Sequence, residues 1–119
     1  MRGLLAIAGD VALVLAFVII GRASHHEPGG FAALVSTAWP FLTGLAAGEL
    51  AARSWRRPAV LAPTGVVVWL STVIIGMALR VIAGQGTAVA FIAVAFCFLG
   101  LFLLGWRIAA RALPRFAGR

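Results

Sequence analysis

Charge is scarce in this chain, and lysine is missing from it altogether. Only 11% of the 119 residues are charged: ten basic residues, all arginine, against three acids, Asp10, Glu27 and Glu49. A water-soluble domain carries roughly 25% charged residues, because its surface has to be wetted. The shortfall excludes an ordinary soluble globule and leaves the lipid bilayer as the solvent. Cysteine is as sparse. Cys97 is the single one, which excludes an intramolecular disulfide and any CxxC or cysteine-rich metal site. Inside its apolar run it is expected to be a small buried side chain. Nucleophilic triads, metal motifs, phosphate loops and dinucleotide fingerprints are also missing. The expectation is a protein that is not an enzyme and needs no cofactor or metal.

What is present is apolar sequence. The hydrophobic share is 63% and the mean hydropathy +1.09. Four stretches are long enough to span a bilayer, at about 4–21, 31–52, 61–83 and 87–106, since a span needs about 20 apolar residues. They leave room for one membrane domain over 1–119, with 107–119 as a basic tail and no extramembrane domain. The fold class expected is all-α, a four-helix bundle running up-down-up-down. The first span opens like a secretory signal, but it is long, Asp10 interrupts it, and Arg22 spoils the small-residue cleavage pattern, so it reads as an uncleaved helix. Pro40 lies inside the second span and should bend it near 37–39. Pro63 falls near the first turn of the third, where proline is tolerated. Turn signals stand at Pro28-Gly29-Gly30 and Gly84-Gln85-Gly86.

The net charge of +7 does not indicate nucleic acid, because the arginines sit at the ends of apolar runs. With the N-terminus inside, Arg2, Arg53, Arg56, Arg57, Arg107, Arg111, Arg115 and Arg119 fall on the cytoplasmic side, and Arg22 and Arg80 on the outer one. That bias places both termini in the cytoplasm, in the inner membrane, and argues against insertion in both orientations. Trp55 and Trp106 lie where interfacial tryptophans belong. The partners expected are the bilayer itself and anionic headgroups at the cytoplasmic face, with no nucleic acid.

The strings DVALVLAFVIIGRASH, TAWPFLTGLAAG, PTGVVVWLSTVIIGMALR, GQGTAVAFIAVA and LLGWR resemble a bacterial family of small four-span membrane proteins, common in actinobacteria and catalogued as a domain of unknown function. The resemblance covers nearly the whole chain. It implies four helices in the cytoplasmic membrane and brings no activity, substrate or site residue with it.

An ionised group at membrane depth costs roughly 2.5–3.5 kcal/mol on insertion scales, so each one asks for a reason. Asp10 shares a stripe with Gly3, Ala6, Phe17 and Gly21, which should face protein. It is read either as a proton- or cation-binding carboxylate, expected to touch a polar group of the second or third helix, or as a structural acid, protonated or bonded to a neighbouring hydroxyl or tryptophan N–H. Thr43, Trp69, Ser71 and Thr72 lie at comparable depth and complete a candidate intramembrane polar site, the plainer reading being hydroxyls bonded to their own backbone. Glu49 lies near the cytoplasmic end of its span, within reach of headgroups or a flanking arginine. Arg22, Glu27 and Arg80 form a candidate outer charge cluster, although Arg80 can equally snorkel to headgroups. His25-His26-Glu27 holds ligand types without a complete metal site. Gly44 and Gly48 form a GxxxG, and Gly76 and Gly100 lie on small-residue faces, the latter with Gly86, Ala90, Ala93 and Cys97. All four are expected at helix contacts.

Two functions follow. One is a proton- or ion-coupled small transporter or channel subunit acting as a homo-oligomer, an architecture similar to that of small multidrug resistance transporters, which also carry an acid in the first helix. The other is a non-transporting accessory or scaffold protein that binds another membrane protein or anionic lipid.

Overall fold

The computed structural model describes residues 2–24 and 29–112. It is a bundle of four long apolar helices: α1 (Arg2–Ser24), α2 (Gly30–Ala52), α3 (Val66–Ile82) and α4 (Val89–Arg111). A wide helical turn, Leu61–Gly65, leads into α3. A 23-residue helix is about 35 Å long at 1.5 Å per residue, enough to cross a hydrocarbon core of about 30 Å. All four candidate spans are mostly outward-facing, with 17–33% of each buried inside the bundle. Leu4, Leu5, Ile19, Ile20, Ile82 and Val89 stand more than half exposed. Such a surface is incompatible with water and suited to lipid.

The core lies along the bundle axis and is built from Val14, Phe17, Phe41, Leu45, Val68, Leu99 and Leu103. Phe17 meets Phe41 edge-on at 5.4 Å and lies 5.4 Å from Phe98, tying α1, α2 and α4 together. The most intimate pair is α2 with α3. A Cβ on Gly44 would fall 2.7 Å from the Ser71 carbonyl oxygen, and one on Gly48 would fall 2.9 Å from Val68 Cα. On α3, a Cβ on Gly76 would stand 2.7 Å from the Phe41 ring, and on α4 one on Gly100 would stand 2.9 Å from Trp69 Nε1. Close approach of this kind is how helices gain contact in a solvent as apolar as their own side chains.

Pro40 sits within α2 without ending it. Proline lacks the N–H that would bond the Ser36 carbonyl four residues back. That carbonyl is instead satisfied from outside the helix: Gln85 Nε2 donates to Ser36 O at 3.0 Å. Gly84, at φ 76°, makes the tight turn that presents Gln85.

Two expectations need correction. The fourth helix starts two residues later than expected and runs five residues further, so that Arg107 and Arg111 belong to α4 and not to a tail. The remaining tail, 113–119, lies outside the described residues. Cys97 is exposed, and so are Ala90, Ala93 and Gly86. The buried face of α4 runs instead through Ala95, Leu99, Leu103 and Arg107, a spacing of four that turns Cys97 towards lipid.

Candidate functional site

Near the end of the bundle where α1 begins and α4 ends, the spacing of four on α4 puts Arg107 on the core side. Its side chain is 0% exposed and meets Asp10 of α1, which is also 0% exposed. Nη2 donates to Asp10 Oδ2 at 2.8 Å and Nη1 to Oδ1 at 3.1 Å, a two-pronged ion pair. Nη1 also donates to Leu103 O at 2.9 Å, and Nε to Pro58 O at 2.8 Å. Gly65 makes room for the arginine stem, since a Cβ there would fall 2.8 Å from Arg107 Cδ. Trp106 closes the site on its outer side: its Nε1 donates to Asp10 Oδ1 at 2.8 Å, and the Arg107 guanidinium lies 4.5 Å from its ring centre.

The second acid arrives from α2. Arg53 takes a left-handed conformation (φ 50°, ψ 52°) that ends the helix. The chain then turns back so that the Ser54 N–H bonds Glu49 O at 3.0 Å. The same turn places the buried Ser54 hydroxyl on Glu49 Oε1, to which it donates. Glu49 Oε2 is buried and receives no hydrogen bond from a donor among the described residues. Its carboxyl adjoins that of Asp10 and feels the charge of Arg107. The cluster therefore holds two carboxyl groups and one guanidinium in a place closed to water.

The candidate residues separate. Asp10 faces the interior, with its hydrogen bonds going to α4 and Glu49 of α2 beside it. Thr43, Trp69, Ser71 and Thr72 do not assemble round it. Thr43 is exposed and donates to Trp39 O at 2.8 Å, and Thr72 donates to Val68 O at 2.7 Å. Trp69 Nε1 donates to Phe96 O at 3.0 Å, and Ser71 packs on Gly48. Hydroxyls on apolar helices find the nearest backbone carbonyl first, which dissolves the expected pocket. Glu49 does not reach headgroups: it is 4% exposed and turned inward by Ser54.

At the opposite end, Arg22 and Arg80 line one cavity of about 440 Å³ with Thr37, Gly86 and Phe91. Arg22 Nη1 donates to Thr37 Oγ1 at 2.8 Å. Arg80 donates to Gln85 Oε1 and Gly86 O, and its guanidinium lies 4.5 Å from the Phe91 ring centre. Glu27, His25 and His26 lie outside the described residues.

Sequence reasoning missed Arg107, Trp106 and Ser54 as site residues. The signal for Arg107 was present in the register Leu99–Leu103–Arg107. For Ser54 there was none, because it depends on a non-glycine residue turning left-handed.

Among known proteins, residues 7–110 match the family described as protein of unknown function DUF3054. That match takes in nearly the whole bundle, and the chain belongs to this family. No curated protein and no solved structure matches it.

Proposed function

For this member of the DUF3054 family we propose a small, non-enzymatic, proton-coupled transporter or channel subunit that works as a homo-oligomer. Its proposed setting is a bacterial cytoplasmic membrane, with both termini inside and anionic lipid against the arginine-rich end. One observation carries the reading: among the described residues Glu49 Oε2 is buried without a hydrogen-bond donor beside the Asp10 carboxyl, in a cluster with one cation, Arg107. With both acids ionised the cluster has one negative charge in excess. A single proton shared by the two carboxyls removes it, and exchange of that proton is the elementary event a coupled carrier needs. Four helices enclose little volume, so a path for substrate would run between copies of the chain.

The test is proton movement into liposomes holding the purified protein, read by an internal pH dye under an imposed gradient. Glu49→Gln fills the same space without an exchangeable acid. We expect it to abolish the flux while leaving the unfolding temperature within a few degrees. Wild-type protein that moves no more protons than Glu49→Gln would overturn the reading. The accessory or scaffold reading is favoured by the sealing of the Asp10–Arg107 pair at 0% exposure, which suits a latch between α1 and α4. It would then lead.

A further inference from the structure

The segment joining α2 to the turn before α3 carries Arg53, Arg56 and Arg57 and contains no acid. These three residues, with Val60, Pro63 and Thr64, line a cavity of about 510 Å³. That lies within the roughly 300–1,000 Å³ range of small-ligand sites. The backbone beneath them is fixed. Arg56 N–H bonds Arg53 O at 3.0 Å and Val60 N–H bonds Arg57 O at 3.3 Å. From below, Ser54 is held by Glu49 and the Pro58 carbonyl by Arg107. Three arginines thus border one hollow whose lining, among the described residues, includes no carboxylate. Like charges so gathered repel unless an anion lies among them. Guanidinium forks match the paired oxygens of a phosphate better than a spherical anion. The exposed Trp55 beside them suits the headgroup level of a bilayer.

We propose that this cavity binds the phosphate group of an anionic ligand, supplied by a phospholipid headgroup or by soluble phosphate. The inference deepens the anionic-lipid contact proposed above and is independent of proton flux. It assigns the contact to one built site in place of a diffuse basic face.

The experiment uses the full chain in neutral detergent and three probes: phosphatidylglycerol, phosphatidylcholine and inorganic phosphate. Bound lipid is read by native mass spectrometry, and stabilisation by thermal unfolding. The site variant is Arg56→Gln/Arg57→Gln. The control is Arg2→Gln/Arg111→Gln, which removes two exposed arginines outside the cavity at the same end of the bundle. All four positions are exposed, and helicity by circular dichroism checks folding. Wild type is expected to retain phosphatidylglycerol over phosphatidylcholine, the site variant to bind it about tenfold more weakly, and the control to match wild type. Stabilisation by inorganic phosphate that the site variant loses assigns the ligand to solution. Its absence beside retained phosphatidylglycerol assigns it to lipid. Equal weakening in both variants overturns the site and leaves a general attraction to anionic lipid standing. A wild type indifferent to all three probes overturns both.

Discussion

A guanidinium in hydrocarbon needs its charge matched and its N–H groups bonded, and Arg107 obtains both from three parts of the chain. Asp10 supplies the charge, while Pro58 and Leu103 supply carbonyls. Removing one member of such a pair strands the other, at about 3–5 kcal/mol, while removing both costs far less than the sum. Asp10→Asn and Arg107→Met should each lower stability by about that amount. The double variant should recover about 2 kcal/mol of the summed loss. Reversible unfolding in micelles measures the cycle, and strict additivity would show that the two residues do not depend on each other. The pair also marks where sequence reading stops. Asp10 was legible as an interior acid from its small-residue stripe. Arg107, by contrast, stands in the sequence at the end of an apolar run and counts there with the basic cytoplasmic tail. An arginine that faces headgroups and one that faces an acid 97 positions away look alike until the helices are packed.

At the scale of elements, the four spans followed from hydropathy alone, because bilayer thickness sets their length. The glycine contacts were legible too, in the sense that Gly44 and Gly48 permit close approach, although their partner helix was not. That partner is α3, whose Ser71 and Val68 lie against them. Gly48→Leu should therefore part α2 from α3 and lower the unfolding temperature by several degrees. An unaltered melting curve would contradict the packing. The Pro40 defect allows a sharper test. If the Gln85 amide serves the carbonyl that proline leaves free, Gln85→Ala strands a polar group, at about 1–3 kcal/mol. Pro40→Ala returns a backbone N–H to Ser36 O, so in that background Gln85→Ala should cost less, keeping only the loss of the Arg80 bond to Gln85 Oε1. Equal losses in both backgrounds would mean that Gln85 acts by some other contact. The repair was invisible beforehand because residues 36 and 85 meet only after α2 and the α3–α4 turn are side by side.

For the whole molecule, the antiparallel order brings the start of α1 and the end of α4 to one end of the bundle, together with the 53–60 segment. A Cβ on Gly3 would fall 2.6 Å from Trp55 O, so the contact between the start of α1 and that segment is direct. Two probes at that end must agree with each other whichever way the protein inserts. Which side they report is a separate question, decided by charge. Arg2, Arg53, Arg56, Arg57 and Arg111 are exposed at this end, against Arg22 and Arg80 at the other. Arg107 drops out of the sum because it is buried in the ion pair, yet the bias remains steep. The expectation is that the single-cysteine variants Ala88→Cys and Arg56→Cys, each in a Cys97→Ser background, react oppositely with a membrane-impermeant maleimide on intact cells. The Ala88→Cys thiol should label from outside, and the Arg56→Cys thiol only after the membrane is opened. Labelling of both from outside in a large share of molecules would mean mixed insertion, and a clean reversal would mean that the arginines do not set the orientation. In either case the helix packing would stand, while the assignment of the phosphate cavity to the cytoplasmic face would fall.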